Sequence, residues 1–472
     1  MAEQAHKRQR CRMASNKESL TMRQTNRLVL LAGTAAVIGA GSTALAAQEQ
    51  AWSGASADEV RAIVSEMMAD AETRSSLLQS GGTAGHDGKN FFLGSADGNF
   101  RLDVSGQIQF RYMANFRDDG DGDNDGVGND DFESGFQTRR TKLEFGGHVH
   151  DPNLFYKIVG AFDRDGGSFD LEDAFVGYRW DNGFSFRWGQ FKLPFMREEL
   201  VSSKYQLAVD RSNLNEVFNQ DRSQGIELAY EAEAWRIAGA FSDGFASDNS
   251  EFASGKTIGA NGFFTGGESD YAGTARFEFK FAGDWAQFKD FTSPSGSDFA
   301  FMMGVAGHIE GGDSGAFGPP GGDNYNFYSV TVDASLEGDG WNLFGAFVWA
   351  TTDYSNAVPD GLGGFDDLDT DNYGFVVQGG IMLPNTDWEL FGRYSVIFPD
   401  DDINDDDTFS VVTFGTNYYM HGHAAKFTAD VEWYIDSTEA NALGQPNNPG
   451  VGALGDDDEN EIVLRLQFQL LF

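Results

Sequence analysis

Basic side chains form a cluster in one stretch of this acidic chain, and they are the residues best suited to attract a solute. The net charge is −40 over 472 residues, yet five bases lie close together: Lys192, Arg197, Lys204, Arg211 and Arg222. Arginine suits oxyanions because its planar guanidinium donates two parallel hydrogen bonds. Acidic residues are interspersed among these bases, so anion attraction and simple ion pairing both stay open as interpretations.

A second pattern of chemical interest is the acidic stretch 118–131, which reads DDGDGDNDGVGNDD. Asp121, Asp123 and Asp125 match the first half of an EF-hand calcium loop. The twelfth position of that loop is Phe132, where the pattern requires a glutamate. An EF-hand is therefore not expected. Loosely bound Ca²⁺ or Mg²⁺ and a solvated acidic surface are the two alternatives, and no cofactor is expected to be required.

The elements that must position these residues are clearest at the end of the chain, which reads EIVLRLQFQLLF. Every second residue from Ile462 to Phe472 is apolar, while Arg465, Gln467 and Gln469 lie between them. Successive strand side chains point to opposite faces, so this segment has one apolar and one polar face. Its closing aromatic resembles the C-terminal signature of bacterial outer-membrane barrels, which implies that the barrel assembly machinery is a partner.

The same alternation recurs along most of the chain. From residue 99 onward the sequence predicts sixteen β-segments, an even number, as single-chain bacterial barrels require. Their predicted bounds are 102–117, 134–149, 153–163, 169–180, 184–193, 222–230, 235–242, 271–281, 298–310, 324–336, 341–352, 371–383, 387–398, 408–420, 424–436 and 460–472. Short turns mostly alternate with long polar loops, which is typical of an outer-membrane barrel with both chain ends in the periplasm. All ten prolines fall in the predicted turns or loops.

The polar faces of the predicted strands carry many charges. Parity places Arg111, Arg140, Lys142 and Arg187 on inward faces, opposite apolar residues that would contact lipid. A sixteen-stranded barrel is wide enough for an aqueous channel, so we expect a hydrated interior. The sequence therefore predicts an all-β, antiparallel transmembrane barrel of about 16 strands, which conducts small polar solutes by passive diffusion.

The start of the chain has the features of an export signal. Basic residues precede an apolar run, and the small-residue sequence Ala44-Leu45-Ala46 follows. These features predict a signal peptide over residues 1–46, whose true start is either Met1 or Met22. The single cysteine, Cys11, lies in this segment, so no disulfide is expected in the mature chain.

Residues 47–97 are predicted to be a periplasmic segment that precedes the barrel domain, residues 98–472. Apolar residues between 57 and 78 follow a 4-3 spacing, which predicts a short amphipathic α-helix. A self-associating coiled coil and an ordinary docked helix both remain open. The glycines from Gly81 to Gly88 indicate a flexible linker after this helix.

Two stretches carry a resemblance to a known family. Residues 188–212 read WGQFKLPFMREELVSSKYQLAVDRS, and residues 415–419 read GTNYY, followed by His423. Over about residues 98–472 the chain resembles the phosphate-selective porin O and P family. The resemblance implies a sixteen-stranded homotrimeric barrel in the cell outer membrane, with one loop folded into the lumen. By position, residues 194–221 are the candidate for that loop.

The resemblance also implies that Arg and Lys residues guide anions such as phosphate. The candidate pore residues are Lys192, Arg197, Lys204, Arg211, Arg222, Arg187, Arg111, Arg140 and Lys142. A constriction lined by cations concentrates anions and repels cations. A weakly selective pore and a purely structural role for these bases are the alternatives. Outer-membrane lipid, small ions and further copies of the chain are the expected partners, and nucleic acid is not.

Two other functions compete with a channel. A barrel enzyme would need an activated nucleophile, and the sequence has no nucleophile-elbow motif, so catalytic residues are not expected. A structural tether would use the predicted helix at 57–78 to bind the cell wall or a partner, with the barrel as its membrane support.

Overall fold

The structure is a computed structural model of the chain, which divides into two compact units, Met1–Gly81 and Gly82–Phe472. The residues that it describes are 65, 82–117, 132–162, 167–245, 268–313, 324–354, 358–359, 365–366, 370–400, 408–436, 452–454 and 460–472. The predicted signal peptide lies outside the described residues, and so does the predicted helix at 57–78 apart from Ser65. No helix among the described residues is long and apolar enough to cross a membrane.

Strands dominate the second unit. In chain order they are β1 Thr83–His86, β2 Phe91–Gly94, β3 Arg101–Phe116, β4 Phe132–Val149, β5 Asp151–Phe162, β6 Phe169–Arg179, β7 Phe184–Lys192, β8 Arg222–Glu231, β9 Trp235–Ser242, β10 Glu268–Ala282, β11 Ala300–Asp313, β12 Asn324–Gly338, β13 Trp341–Tyr354, β14 Val358–Pro359, β15 Phe365–Asp366, β16 Thr370–Met382, β17 Trp388–Phe398, β18 Phe409–Tyr419, β19 Ala425–Tyr434 and β20 Ile462–Leu471. The sixteen that the sequence predicted are β3 to β13 and β16 to β20, with bounds within a few residues of the prediction.

These sixteen strands close into one antiparallel barrel, because the last strand pairs with the first of them. Leu470 of β20 lies opposite Ile108 of β3. Beyond that pairing, Gly106 and Phe472 exchange two backbone hydrogen bonds, with N to O distances of 2.7 and 3.1 Å. A closed ladder leaves no strand edge exposed, as a bilayer requires. The prediction of a sixteen-stranded antiparallel barrel is confirmed.

The alternation of side chains is that expected of a membrane barrel. On β20, Phe468 and Leu470 are 41% and 42% exposed on the outer face, while Gln467 and Gln469 are buried on the inner one. The same division holds on β12, where the exposed Tyr328, Val330 and Val332 alternate with the buried Ser329, Thr331 and Asp333.

A short hairpin precedes the barrel where the sequence predicted a linker. Strands β1 and β2 pair with each other, and Phe91 to Gly94 pair with Val104 to Arg101 of β3. Because β20 pairs with β3 only as far as Gln107, this part of β3 would otherwise present an unpaired edge. The hairpin therefore extends the barrel wall next to the closing strand.

The connection between β7 and β8, residues 193–221, folds into the lumen; we call it the inner loop. It contains two short helices, α1 Arg197–Leu200 and α2 Asn213–Phe218. Several of its apolar side chains, Phe195 and Leu214 among them, are fully buried against inward residues of the wall from β11 to β19. Gly374 on β16 makes room for this packing, since a Cβ there would lie 2.5 Å from Leu214 Cδ1.

A second segment also folds inward, from the end of the barrel where the short turns lie. Residues 283–299, which join β10 to β11, bury Phe288 and Phe291 beside the inner loop; we call this segment the inner turn. The ring of Phe291 packs on that of Phe344, with 4.8 Å between centroids. The backbone N–H of Phe291 donates to the carbonyl of Tyr205 in the inner loop. Both segments thus fill the same side of the barrel.

Candidate functional site: a charged cavity in the barrel

A cavity lies on the opposite side of the lumen, between the inner loop and the wall from β3 to β8. It has a volume of about 380 Å³ and is lined mainly by charged side chains. The basic ones are Arg139, Arg140, Lys142, Lys157, Lys192, Lys204, Arg211 and Arg222. The acidic ones are Glu144, Glu172, Asp173, Glu199, Glu216 and Asp221. Eight basic and six acidic side chains leave a formal surplus of two positive charges.

Six of the nine predicted pore residues line this cavity: Lys192, Lys204, Arg211, Arg222, Arg140 and Lys142. The other three are held elsewhere by protein groups. Arg111 is fully buried and forms an ion pair with Asp210 at 2.6 Å. The guanidinium of Arg187 lies 4.1 Å from the ring centroid of Phe191 and donates to Glu227 at 2.6 Å.

Arg197 joins the inner loop to the inner turn. It is 3% exposed, and its guanidinium donates to Ser335 Oγ at 2.7 Å and to the Phe288 carbonyl at 2.9 Å. The same guanidinium lies over the rings of Phe288 and Phe291. These contacts place Arg197 between the two inward segments and away from the cavity.

Two residues that line the cavity, Arg139 and Lys157, are not among the predicted pore residues. A bulge explains the first: Gln109 of β3 pairs with Arg140 and Phe110 pairs with Thr138, so Arg139 is an extra residue in β4. A bulge breaks the two-residue alternation, which brings two successive arginines to the same cavity. Lys157 lies on an unbulged part of β5, and the two-residue parity of that strand was the signal that could have identified it.

A second bulge places two successive carboxylates in the cavity. Val159 of β5 pairs with Asp173 of β6, and Gly160 pairs with Leu171, so Glu172 is the extra residue. Both carboxylates receive hydrogen bonds from Arg222, at 3.2 and 2.7 Å. The cavity wall therefore alternates in charge, and its bases are oriented by neighbouring acids.

Asp210 attaches the inner loop to the barrel wall. Its carboxylate, 1% exposed, accepts hydrogen bonds from Arg111 at 2.6 and 3.2 Å and from Arg140 at 3.0 Å. Burial disfavours its charge, but Arg111, Arg139 and Arg140 outweigh burial and hold the pKa of Asp210 well below its usual range. Arg393 donates to the backbone carbonyl of the same residue at 2.9 Å.

Glu199 holds another part of the inner loop at the cavity. It forms ion pairs with Lys192 and with Arg211, the latter at 3.2 Å, and it accepts a hydrogen bond from Asn215 at 3.0 Å. Burial opposes its charge, yet the two bases lower the pKa of Glu199 to about 2. This carboxylate therefore stays ionised and fixes the position of both bases.

Local hydrogen bonds also order the parts of the loop that flank Glu199 and Asp210. Ser212 caps α2, since its hydroxyl accepts from the backbone N–H of Asn215. The carboxylate of Glu198 in turn accepts from the hydroxyl and from the backbone N–H of Ser212, at 2.6 and 2.8 Å. These hydrogen bonds thus fix the backbone that carries the cavity-lining side chains of the inner loop.

The predicted cation ligands Asp121, Asp123 and Asp125 lie outside the described residues. Within the ranges that the structure does describe, no group of three or more His, Cys, Asp or Glu side chains is arranged to hold a metal ion.

Comparison with known proteins agrees with this architecture. The model of the family "Phosphate-selective porin O and P" matches residues 107–309, which confirms the resemblance over that range. No curated protein matches the sequence. Among solved structures, the anion-selective porin from Comamonas acidovorans is similar, with a TM-score of 0.52 and 12% identity over 79% of this chain and 99% of its own. That likeness supports the barrel fold.

Two further solved structures match over a similar span. Salmonella typhi OmpF, in complex with daunomycin, has 12% identity over 79% of this chain and 98% of its own, with a TM-score of 0.49. The outer-membrane channel DcaP of Acinetobacter baumannii has 14% identity over 78% of this chain and 97% of its own, with a TM-score of 0.47. The family match, together with the closed barrel, supports a channel of the outer membrane.

Proposed function

We propose, from the match of residues 107–309 to the phosphate-selective porin O and P family, that this chain forms a water-filled channel for small polar solutes. The channel favours anions, phosphate among them, and solutes cross it by passive diffusion. The inner loop and the strands β3 to β8 form its constriction, and the cavity between them is the part of the pathway that selects.

The surplus of basic side chains around the cavity carries this proposal. Eight of its charged side chains are basic and six are acidic. In a narrow space with low-dielectric walls, a surplus of two charges raises the local anion concentration and lowers that of cations. Arg139 and Arg140 are successive residues that both line the cavity, and arginine suits oxyanions because the donors of a guanidinium are planar and paired.

The ion pairs around the cavity keep this attraction moderate. Lys204 contacts Glu144 at 3.2 Å, and Lys157 contacts Asp173 at 3.4 Å, so an incoming anion shares each base with a resident carboxylate. A site that binds too tightly would trap its solute, whereas conduction requires easy release. Bases that are already paired with acids therefore bind an anion weakly and release it readily, which favours conduction.

The remaining parts of the proposal follow from the family and from the barrel. The mature chain assembles as a homotrimer in outer-membrane lipid, with the help of the barrel assembly machinery. The short-turn end and the N-terminal segment face the periplasm, and acidic stretches such as residues 118–131 hold Ca²⁺ or Mg²⁺ only loosely. Crosslinking of the purified protein in detergent tests the trimer, and a band of monomer size alone would contradict it.

The reversal potential in a planar lipid bilayer tests the selectivity. With a KCl gradient across the bilayer, we expect single channels whose reversal potential has the sign for chloride permeation. Phosphate added to one side should reduce the chloride current by occupying the cavity. A cation-selective potential would overturn the anion preference, and purified protein without measurable conductance would overturn the channel itself.

A matched pair of lysine variants shows whether the cavity is responsible. Lys157→Gln removes a charge from the cavity wall, whereas Lys289→Gln removes the same charge from an exposed site in the inner turn. We expect the first to shift the reversal potential toward cations and the second to leave it unchanged. Equal shifts of the reversal potential in both variants would show that the charges responsible for the anion preference lie outside the cavity.

A further inference from the structure

One acidic side chain of the cavity differs from the other five. Glu144, Glu172, Asp173, Glu199 and Asp221 each form an ion pair with a basic side chain within 4 Å. Among the residues that the structure describes, the carboxylate of Glu216 has neither a hydrogen bond nor an ion pair. It lines the same cavity as the basic residues, and its side chain is partly exposed there.

The backbone of Glu216 is nevertheless firmly placed. It lies in α2, where its N–H donates to the carbonyl of Ser212 at 3.0 Å. Its helix neighbours Leu214 and Val217 are buried in the apolar cluster on the other side of the loop. Glu216 therefore projects from a helix that is held on its opposite face, and it points at the cavity because the apolar face is occupied.

A carboxylate in this position would repel any fully deprotonated anion that the basic residues attract. An anion that brings its own proton offsets this repulsion, because its O–H group donates a hydrogen bond that the carboxylate accepts. Hydrogen phosphate keeps at least one P–OH group at neutral pH, whereas sulfate has none. The cavity thus combines donors for the anionic oxygens with one acceptor for a protonated oxygen.

We propose that Glu216 is a specificity-determining residue, which accepts a hydrogen bond from the protonated oxygen of hydrogen phosphate and so favours it over sulfate. The inference rests on the proposed function, because it needs an anion in the cavity. Arg211 and Arg139 line the cavity together with Glu216, and their positive charges attract the anionic oxygens. Burial raises the pKa of Glu216, and a more basic carboxylate is a stronger acceptor.

Glu216→Gln in the full-length protein tests the assignment. The measured quantity is the ratio of sulfate to phosphate concentration that halves the chloride current at neutral pH. In the unmodified protein we expect phosphate to be the stronger blocker. Glutamine keeps the size of the side chain and donates N–H groups to sulfate, so the ratio should fall about tenfold, the value of one hydrogen bond to a charged group.

Asp221→Asn is the matched control. It also removes one negative charge from the cavity, but its carboxylate is already paired with Arg222 at 3.0 Å. We expect it to strengthen block by both anions without a change in their ratio. If Glu216→Gln also strengthens block by both anions without a change in their ratio, Glu216 contributes only its negative charge, and the assignment is overturned.

The wild-type protein separates this inference from the proposed function. A cation-selective wild-type channel would reject the proposed function. An anion-selective wild-type channel that phosphate and sulfate block equally would leave the proposed function standing and overturn the role of Glu216. Chloride conductance of the variant serves as the check that it has folded.

Discussion

Asp210→Asn should loosen the attachment of the inner loop to the barrel wall. The carboxylate accepts three hydrogen bonds from Arg111 and Arg140, and Arg139 lies within 3.5 Å of it. Its side chain is 1% exposed, so water cannot replace these contacts in the folded state. Asparagine removes the charge while it retains the size of the side chain, which isolates the electrostatic contribution.

The magnitude follows from those contacts. Removing one partner of a buried ion pair costs about 3–5 kcal/mol, because the other charge is left uncompensated. Here the asparagine oxygen can keep one of the three hydrogen bonds, and each one lost costs roughly 1.5–3 kcal/mol. The loss of two gives about 3–6 kcal/mol by the same principle, in agreement with the first figure. Other links to the wall remain, among them the hydrogen bonds from Arg393 to the Asp210 carbonyl and from Asn417 to the Leu207 carbonyl, both at 2.9 Å.

Single-channel recording in a planar bilayer measures the effect. We expect a larger and noisier conductance for Asp210→Asn, together with barrel unfolding at a lower temperature on gels. Asp181→Asn, at an exposed aspartate in a short turn, serves as the control and should behave like the wild type. Wild-type conductance, noise and heat resistance in Asp210→Asn would refute the claim that this carboxylate holds the loop.

Three further perturbations test other parts of the structure. Acid should loosen the inner loop only at low pH. The pKa of Glu199 is lowered from 4.5 to about 2, so its ion pairs stabilise the loop fully above pH ~4.5, and this stabilisation is lost as the pH falls toward ~2. Rising channel noise over that pH range measures the loss. Arg197→Met should lower the free energy of unfolding by about 3 kcal/mol and widen the channel. The reversal potential should stay the same, because Arg197 does not line the cavity. A shifted reversal potential would contradict this. Gly106→Val should reduce the yield of folded barrel, since a Cβ at 106 would lie 2.3 Å from the ring of Phe472, whereas Gly239→Val meets nothing within 4 Å and should not.

The barrel could be predicted from sequence because each strand carries its own signal. Lipid on one side and a polar lumen on the other impose the two-residue alternation seen from Ile462 to Leu470, and it needs no knowledge of neighbouring strands. The position of the inner loop could also be predicted, although from a family resemblance. The hairpin of β1 and β2 could not, because two four-residue strands contain too few residues for their alternation to be recognised.

The candidate site was predicted in composition and only partly in geometry. Lys192, Arg211 and Arg140 were identified and do line the cavity. Arg197 was identified from its type, yet in the structure it stacks between Phe288 and Phe291. Arg139 was missed, because a bulge depends on the register with the neighbouring strand and leaves no periodic mark in its own.

The sequence by itself determined the strands, their inward and outward faces away from bulges, and the closure of the barrel. The reason is that water and lipid act on each residue independently of its distant neighbours. The tertiary structure alone decided which bases meet the cavity and which are neutralised by acids. Asp210 lies 99 positions from Arg111, and Glu172 lies 50 from Arg222. Such pairings depend on barrel register and loop packing, and local side-chain preferences contain no information on either.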